Sequence, residues 1–156
     1  MSEPQDTLSK LETVRAETLR VLQSLGQEEL DCCPSGESEW SLGEVFMHLA
    51  MDEIYLRELI ARPLLEGVKP PDAVGFLPPP PQYGEPKELI LFWFHRAREG
   101  TRRLFASWPA HANLTLTHEG GLGAMNGLQW LEGYAGKEAY FHLQIGDLMA
   151  QNRATE

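Results

Sequence analysis

The sequence is poor in cysteine, in positive charge and in long apolar runs. Its two cysteines, Cys32 and Cys33, are adjacent, and neighbouring cysteines seldom bond each other because the geometry is strained. With no third cysteine and no C-x-x-C spacing, neither a disulfide framework nor a zinc ribbon is available. Thiols of this kind suit a reducing compartment. Lysine and arginine number 13 against 23 aspartates and glutamates, for a formal net charge of -10. Nucleic-acid binding depends on a positive surface that releases counterions from phosphate, so this balance argues against nucleic acids and anionic membranes as partners. No stretch approaches the ~18 uninterrupted apolar residues of a membrane span, and the start MSEPQDTLSK lacks a charged-then-apolar signal segment. These absences predict a cytoplasmic protein.

What is present is the composition of an ordinary globular protein, 42 % hydrophobic and 23 % charged over 156 residues. A chain of this size buries roughly 70 % of its unfolded surface and is expected to form a single domain, 1–156. Four helical segments account for most of it. The first is expected from about Pro4 to Leu25, with Leu11, Val14, Thr18, Val21, Leu22 and Leu25 on one stripe and Gly26 as a stop. The second starts at a capping box, Ser41 with Glu44, and is expected from Leu42 to Arg62, ending before Pro63. Residues 63–86 hold eight of the eleven prolines, including Pro78 to Pro81, and predict a long connection. The third helix starts with Pro86 in its first turn, buries Ile90, Phe94, Ala97, Thr101, Leu104 and Trp108, and ends at Pro109. A weakly alternating segment over 110–125 suggests a short extended piece. The fourth helix starts near Asn126, capped with Gln129, and runs to about Ala150. The expected fold is all-α, a four-helix bundle with a long Pro-rich connection between helices 2 and 3.

Glu138 and His142 lie four residues apart on the fourth helix and so project from one face. That face carries Leu131 and Ile145 and looks inward, where an ionised carboxylate is costly unless paired or bound to a cation. His48 sits within the inward stripe of the second helix. Two imidazoles and a carboxylate hold a divalent ion while leaving a position open, as in catalytic zinc sites. Asp52, one turn after His48, is placed to orient that imidazole or to face solvent. His95, His111 and His118 are expected to face solvent. The cluster His95, Arg96, Arg98, Arg102 and Arg103 reads as a solvated face balancing nearby carboxylates, with a site for an anionic substrate or a partner subunit as the alternative.

The run from Trp40 to Leu49, W-S-L-G-E-V-F-M-H-L, resembles the second-helix signature of the DinB-like bundle superfamily. The segment from Glu138 to Ile145, E-A-Y-F-H-L-Q-I, is similar to the family's closing motif, H-x-x-x-H-x-x-Q-I. The order and separation of the motifs also match over nearly the whole chain. The resemblance implies one divalent metal ion (Zn, Ni, Fe or Mn), with His48, Glu138 and His142 as ligands, and a homodimer. It also implies a small-molecule substrate, with a low-molecular-weight thiol such as bacillithiol or mycothiol as cosubstrate for a transferase or a maleylpyruvate isomerase. Glu138 departs from the usual histidine at its position and matches the isomerase branch, which carries a further domain that this chain has no room for. The alternative is a non-catalytic, stress-related bundle that binds a metal or a ligand.

Overall fold

Apolar residues recurring every three or four positions fold most of the chain into helices. The computed structural model of the protein describes residues 3–33, 40–71, 83–108, 111–120 and 123–154. Helix α1 (Glu3–Ser24) is followed by a five-residue helix, α2 (Gln27–Asp31). Then come α3 (Leu42–Leu56), a π-helical turn (Arg57–Ala61), α4 (Arg62–Leu65), α5 (Lys87–Ala106), a hairpin of β1 (His118–Gly120) and β2 (Gly123–Met125), and α6 (Gly127–Ala154). The strands pair antiparallel, with His118 opposite Met125 and Gly120 opposite Gly123. The molecule is thus mostly helical, as expected, with one very small sheet. Among the described residues, no helix is long and apolar enough to cross a membrane.

Several boundaries differ from expectation for physical reasons. Helix α2 falls where a loop was expected: the Glu29 carboxylate accepts from the Gly26 amide at 3.1 Å, and Leu30 anchors the turn in the core. The second long helix does not stop before Pro63. Its backbone widens so that the Arg62 amide bonds to the Arg57 carbonyl, a π-turn, and Pro63 enters the first turn of α4. At the start of a turn a missing amide proton costs little. The real stop is Gly67, whose φ of 80° lies in the left-handed region. Its amide bonds to the Leu64 carbonyl and the Val68 amide to the Pro63 carbonyl at 2.7 Å, the paired closure that ends many helices. Much of the expected proline connection lies outside the described residues, Pro78 to Pro81 included, as do Pro34 to Gly36 and Pro109.

The capping expectation holds in full at Asn126 and in its N-cap half at Ser41, where the Glu44 carboxylate meets the Ser41 hydroxyl rather than its amide. Glu44 N donates to Ser41 Oγ at 3.2 Å. Asn126 Oδ1 accepts from Gln129 N, and Gln129 Oε1 accepts from Asn126 N, both at 2.8 Å.

Helix α1 packs against α5 and α6, and α3 packs against the same two helices. The larger apolar cluster includes Leu11, Leu22, Leu42, Phe46, Leu49, Ile90, Phe94, Tyr134 and Ile145. A smaller one holds Ala61, Leu65, Leu104 and Leu131 beneath Trp108 and Trp130. Along α3 and α5, buried charged residues fall between the positions of the first cluster and those of the second.

The cap of α6 also ties down the segment before the hairpin, because Asn126 Nδ2 donates to the Leu114 carbonyl at 2.9 Å. Asn126→Ala is therefore expected to cost about 1 kcal/mol, the usual worth of such a cap, while Asn126→Asp keeps most of it. Urea denaturation midpoints of the two variants check this.

Candidate functional site

Four long helices each bring a charged side chain to one buried point. Arg15 comes from α1, Glu53 from α3, Arg98 from α5 and Glu138 from α6, and none is more than 3 % exposed. Arg15 Nη2 donates to Glu53 Oε1 at 2.5 Å. Arg15 Nε and Nη2 also reach Glu138 Oε2 and Oε1, each at 3.0 Å, a two-pronged contact. Arg98 grips Glu53 the same way, Nε to Oε2 and Nη2 to Oε1, each at 3.1 Å. It stands 3.8 Å from Glu138.

Hydroxyls and carbonyls complete the set. Thr101 Oγ1 donates to Glu53 Oε2 and Thr18 Oγ1 to Glu138 Oε2, each at 2.6 Å. Arg15 Nη1 reaches the Phe94 carbonyl, and Arg98 Nη1 the Leu11 carbonyl. Two cations and two anions balance, and each guanidinium meets a planar carboxylate in the fork geometry that arginine favours. Burial pushes the Glu53 carboxyl up, but Arg15 and Arg98 outweigh it and hold it below the usual range. Beside the quartet, the Tyr134 hydroxyl donates to the Leu49 carbonyl at 2.6 Å, and burial drives its pKa well above the ordinary value.

The histidines flank this network. Thr18 Oγ1 lies 2.6 Å from His142 Nε2 as well as from Glu138 Oε2. A hydroxyl has one proton, and the carboxylate is the stronger acceptor. With Thr18 donating to Glu138, the contact to His142 is one in which Nε2–H donates to the Thr18 hydroxyl oxygen. His48 is half-buried, with the Trp40 ring edge-on at 5.0 Å and the Phe141 ring at 6.4 Å. Its Nδ1 is buried and has no hydrogen-bond partner among the described residues. Burial lowers its pKa, with Asp52 partly opposing, so the ring is neutral near pH 7. Asp52 itself accepts from Lys137, an ion pair that bridges α3 and α6. Its charge reaches His48, yet its hydrogen bond is to the lysine.

The three residues nominated as metal ligands are thus placed in different settings. Glu138 is bound on both oxygens by Arg15 and on one by Thr18, so it does not fit as a ligand. Among the described residues, no group of three or more His, Cys, Asp or Glu side chains is placed to hold one metal ion. His48, with its unpaired nitrogen, fits a ligand role better than Glu138 does.

A family model for the DinB superfamily matches residues 10–145. The chain belongs to the DinB superfamily. No curated protein and no solved structure matches it. The matched span runs from Lys10, within α1, to Ile145 and includes every member of the charge quartet as well as His48 and His142. Both segments whose resemblance pointed to this family, Trp40–Leu49 and Glu138–Ile145, lie inside the matched span.

Sequence reasoning missed Arg15, Glu53 and Arg98. Arg98 was placed in a solvated basic face, but it is 1 % exposed. Of its expected companions, Arg102 pairs with Glu12 and Arg103 with Glu99 at the surface, and His95 is exposed. His111 faces solvent, but His118 is half-buried, its ring 5.9 Å from that of Trp130. The available signal was periodic: Arg15 is four after Leu11, Glu53 four after Leu49 and Arg98 four after Phe94. Two positive and two negative residues on inward stripes are a charge-balanced set.

Removing one member of a buried ion pair strands the other. Glu138→Ala and Arg15→Met are each expected to cost about 3–5 kcal/mol by urea denaturation at pH 7; losses under about 1 kcal/mol are the contrary result. A second expectation concerns acid. Because Glu53 has a folded pKa below its unfolded value near ~4.3, its contribution is present above that value and lost as pH falls through the lower one. The denaturation midpoint is expected to be flat in Glu53's contribution above about pH 5 and to fall below about pH 4, and Glu53→Gln should flatten that fall.

Proposed function

We propose that this DinB superfamily member is a four-helix bundle that binds a small molecule at the face bearing Trp40, His48, Phe141 and His142, with Glu138 serving the charge network rather than a metal. The observation that carries the proposal is the contrast between two polar groups. Both oxygens of Glu138 are bound by Arg15, while the buried Nδ1 of His48 has no partner. A buried polar atom without a partner costs roughly 1–3 kcal/mol, and a ligand that supplies one recovers it. Trp40, 40 % exposed, and Phe141 supply apolar walls around that atom. The ligand chemistry they suit is a small apolar or aromatic body with one hydrogen-bonding group.

A second reading keeps the metal and the thiol. His48 and His142 are donors that suit zinc, nickel, iron or manganese, and the unpaired His48 nitrogen favours it. A bound divalent ion would supply an acidified thiol for transfer or isomerisation. Two imidazoles alone give a weaker hold than three protein ligands, and the third would have to come from outside the Glu138 position.

Elemental analysis of the purified wild type beside His48→Ala, His142→Ala and Glu138→Gln separates the readings. It is paired with a screen of bacillithiol, mycothiol and glutathione against a generic electrophile. Metal well below one ion per chain, the same in all four proteins and without turnover on any thiol, is expected. Phenol, used as an aromatic probe with one hydroxyl, is expected to shift the Trp40 and His48 resonances in the wild type and to leave the His48 resonance unmoved in Trp40→Ala. One ion per chain that is lost in His48→Ala, together with thiol turnover, would overturn the proposal in favour of the second reading.

A further inference from the structure

A cavity of about 260 Å³ opens between α3 and α5, with none of the charge quartet or of His48 and His142 in its lining, though Arg57 reaches Glu53 through Thr101. It is lined by Ile54, Arg57, Trp93, Arg96, Gly100 and Arg103, with Glu99 at its edge. Arg57 lies nine residues beyond His48, about 13 Å along the helix. Three arginines around one small cavity are unexpected in a chain of net charge -10. We propose that this cavity is a binding site for a small organic anion, a carboxylate or phosphate ester with a flat apolar portion.

The placement of Arg57 against Gly100 and, separately, Arg96 point there. Arg57 is the first residue of the π-turn, and π-turns recur at functional sites because they re-aim side chains. Its Nη1 donates to the Ala97 carbonyl at 2.6 Å and to Thr101 Oγ1 at 2.9 Å, and its Nε donates to Glu58. Its Nη2 makes no hydrogen bond among the described residues, so a side chain that is only 6 % exposed is held rigidly with one donor edge left over.

Gly100 is what makes room for that edge. A Cβ at Gly100 would stand 2.5 Å from Arg57 Nη2 and 2.6 Å from Cζ, closer than such atoms approach. Any other residue there would displace the guanidinium from its present position. Arg96, on the same helix and exposed, has no ion-pair partner among the described residues, unlike Arg102 and Arg103. With Arg103 paired to Glu99 and Arg57 to Glu58 at 2.8 Å, Arg96 supplies the unbalanced positive charge at the cavity.

The half-buried Trp93 indole and Ile54 form the apolar side of the cavity. A guanidinium presents paired donors to a planar carboxylate or phosphate, and an indole packs against a ring. The volume is just below the usual range for small-molecule sites and excludes large cofactors.

The test uses the full chain and three probes: inorganic phosphate, benzoate and phenyl phosphate. Binding is read from the Trp93 indole resonance in NMR titrations at low salt. Benzoate or phenyl phosphate is expected to shift that resonance saturably and to bind more tightly than inorganic phosphate. Which of the two binds better distinguishes a carboxylate from a phosphate ligand. Arg96→Gln, at an exposed position, is expected to weaken binding about tenfold, the worth of one charged hydrogen bond. Arg103→Gln should weaken it as well, and Arg102→Gln, outside the cavity, should stay within about twofold of the wild type. A Trp93 resonance unmoved by all three probes would overturn the proposal. So would Arg96→Gln and Arg103→Gln binding as tightly as the wild type, or phosphate alone binding as tightly as phenyl phosphate.

Discussion

Four helices meet on one balanced set of charges, and the rest of the structure is arranged around it. Arg15, Glu53, Arg98 and Glu138 come one each from α1, α3, α5 and α6. Any helix that slides or rotates by one residue leaves a charge stranded away from water, a penalty far larger than the loss of a typical apolar contact. The apolar clusters supply the driving force for collapse. The charges add a constraint on register that apolar packing alone, tolerant of substitutions of similar volume, does not impose. Thr18, Thr101 and Tyr134 extend the same constraint outward, each tying a hydroxyl to the quartet or to a backbone carbonyl beside it.

This arrangement also explains the division of labour at the closing motif. Glu138 and His142 share a helix face, but Glu138 points its carboxylate at Arg15 while His142 is linked to it only through Thr18. A histidine at 138 would leave Arg15 with Glu53 as its only carboxylate at hydrogen-bonding distance. The glutamate and the arginine therefore belong together. His48 stands apart from this network, and its Nδ1 is the one buried side-chain polar atom without a partner among the described residues.

The helices themselves were legible from spacing. Leu11, Thr18 and Leu22, then Ile90, Phe94, Ala97, Thr101 and Leu104, are buried as their periodicity implied; the box at Asn126 closes in both directions, and Ser41 caps its helix with its side chain alone. The continuation through Pro63 was not legible, because the rule that proline ends a helix assumes i to i+4 bonding and the chain inserts a π-turn instead. Helix α2 is too short to show a period. The site was half legible: the family motifs singled out His48, Glu138 and His142, yet the partners of Glu138 lie more than a hundred residues away in sequence on α1. A charged residue on an apolar stripe is ambiguous from one helix alone. Only the four stripes taken together show that the charges cancel.

The central claim is that Glu138 is the counter-ion of Arg15, and a double-mutant cycle tests it most directly. Urea denaturation of the wild type, Arg15→Met, Glu138→Leu and the double variant gives the coupling between the two side chains. The account predicts a coupling of at least about 2 kcal/mol, with the double variant more stable than the sum of the single losses implies. Additive losses, with coupling within about 0.5 kcal/mol of zero, would contradict it.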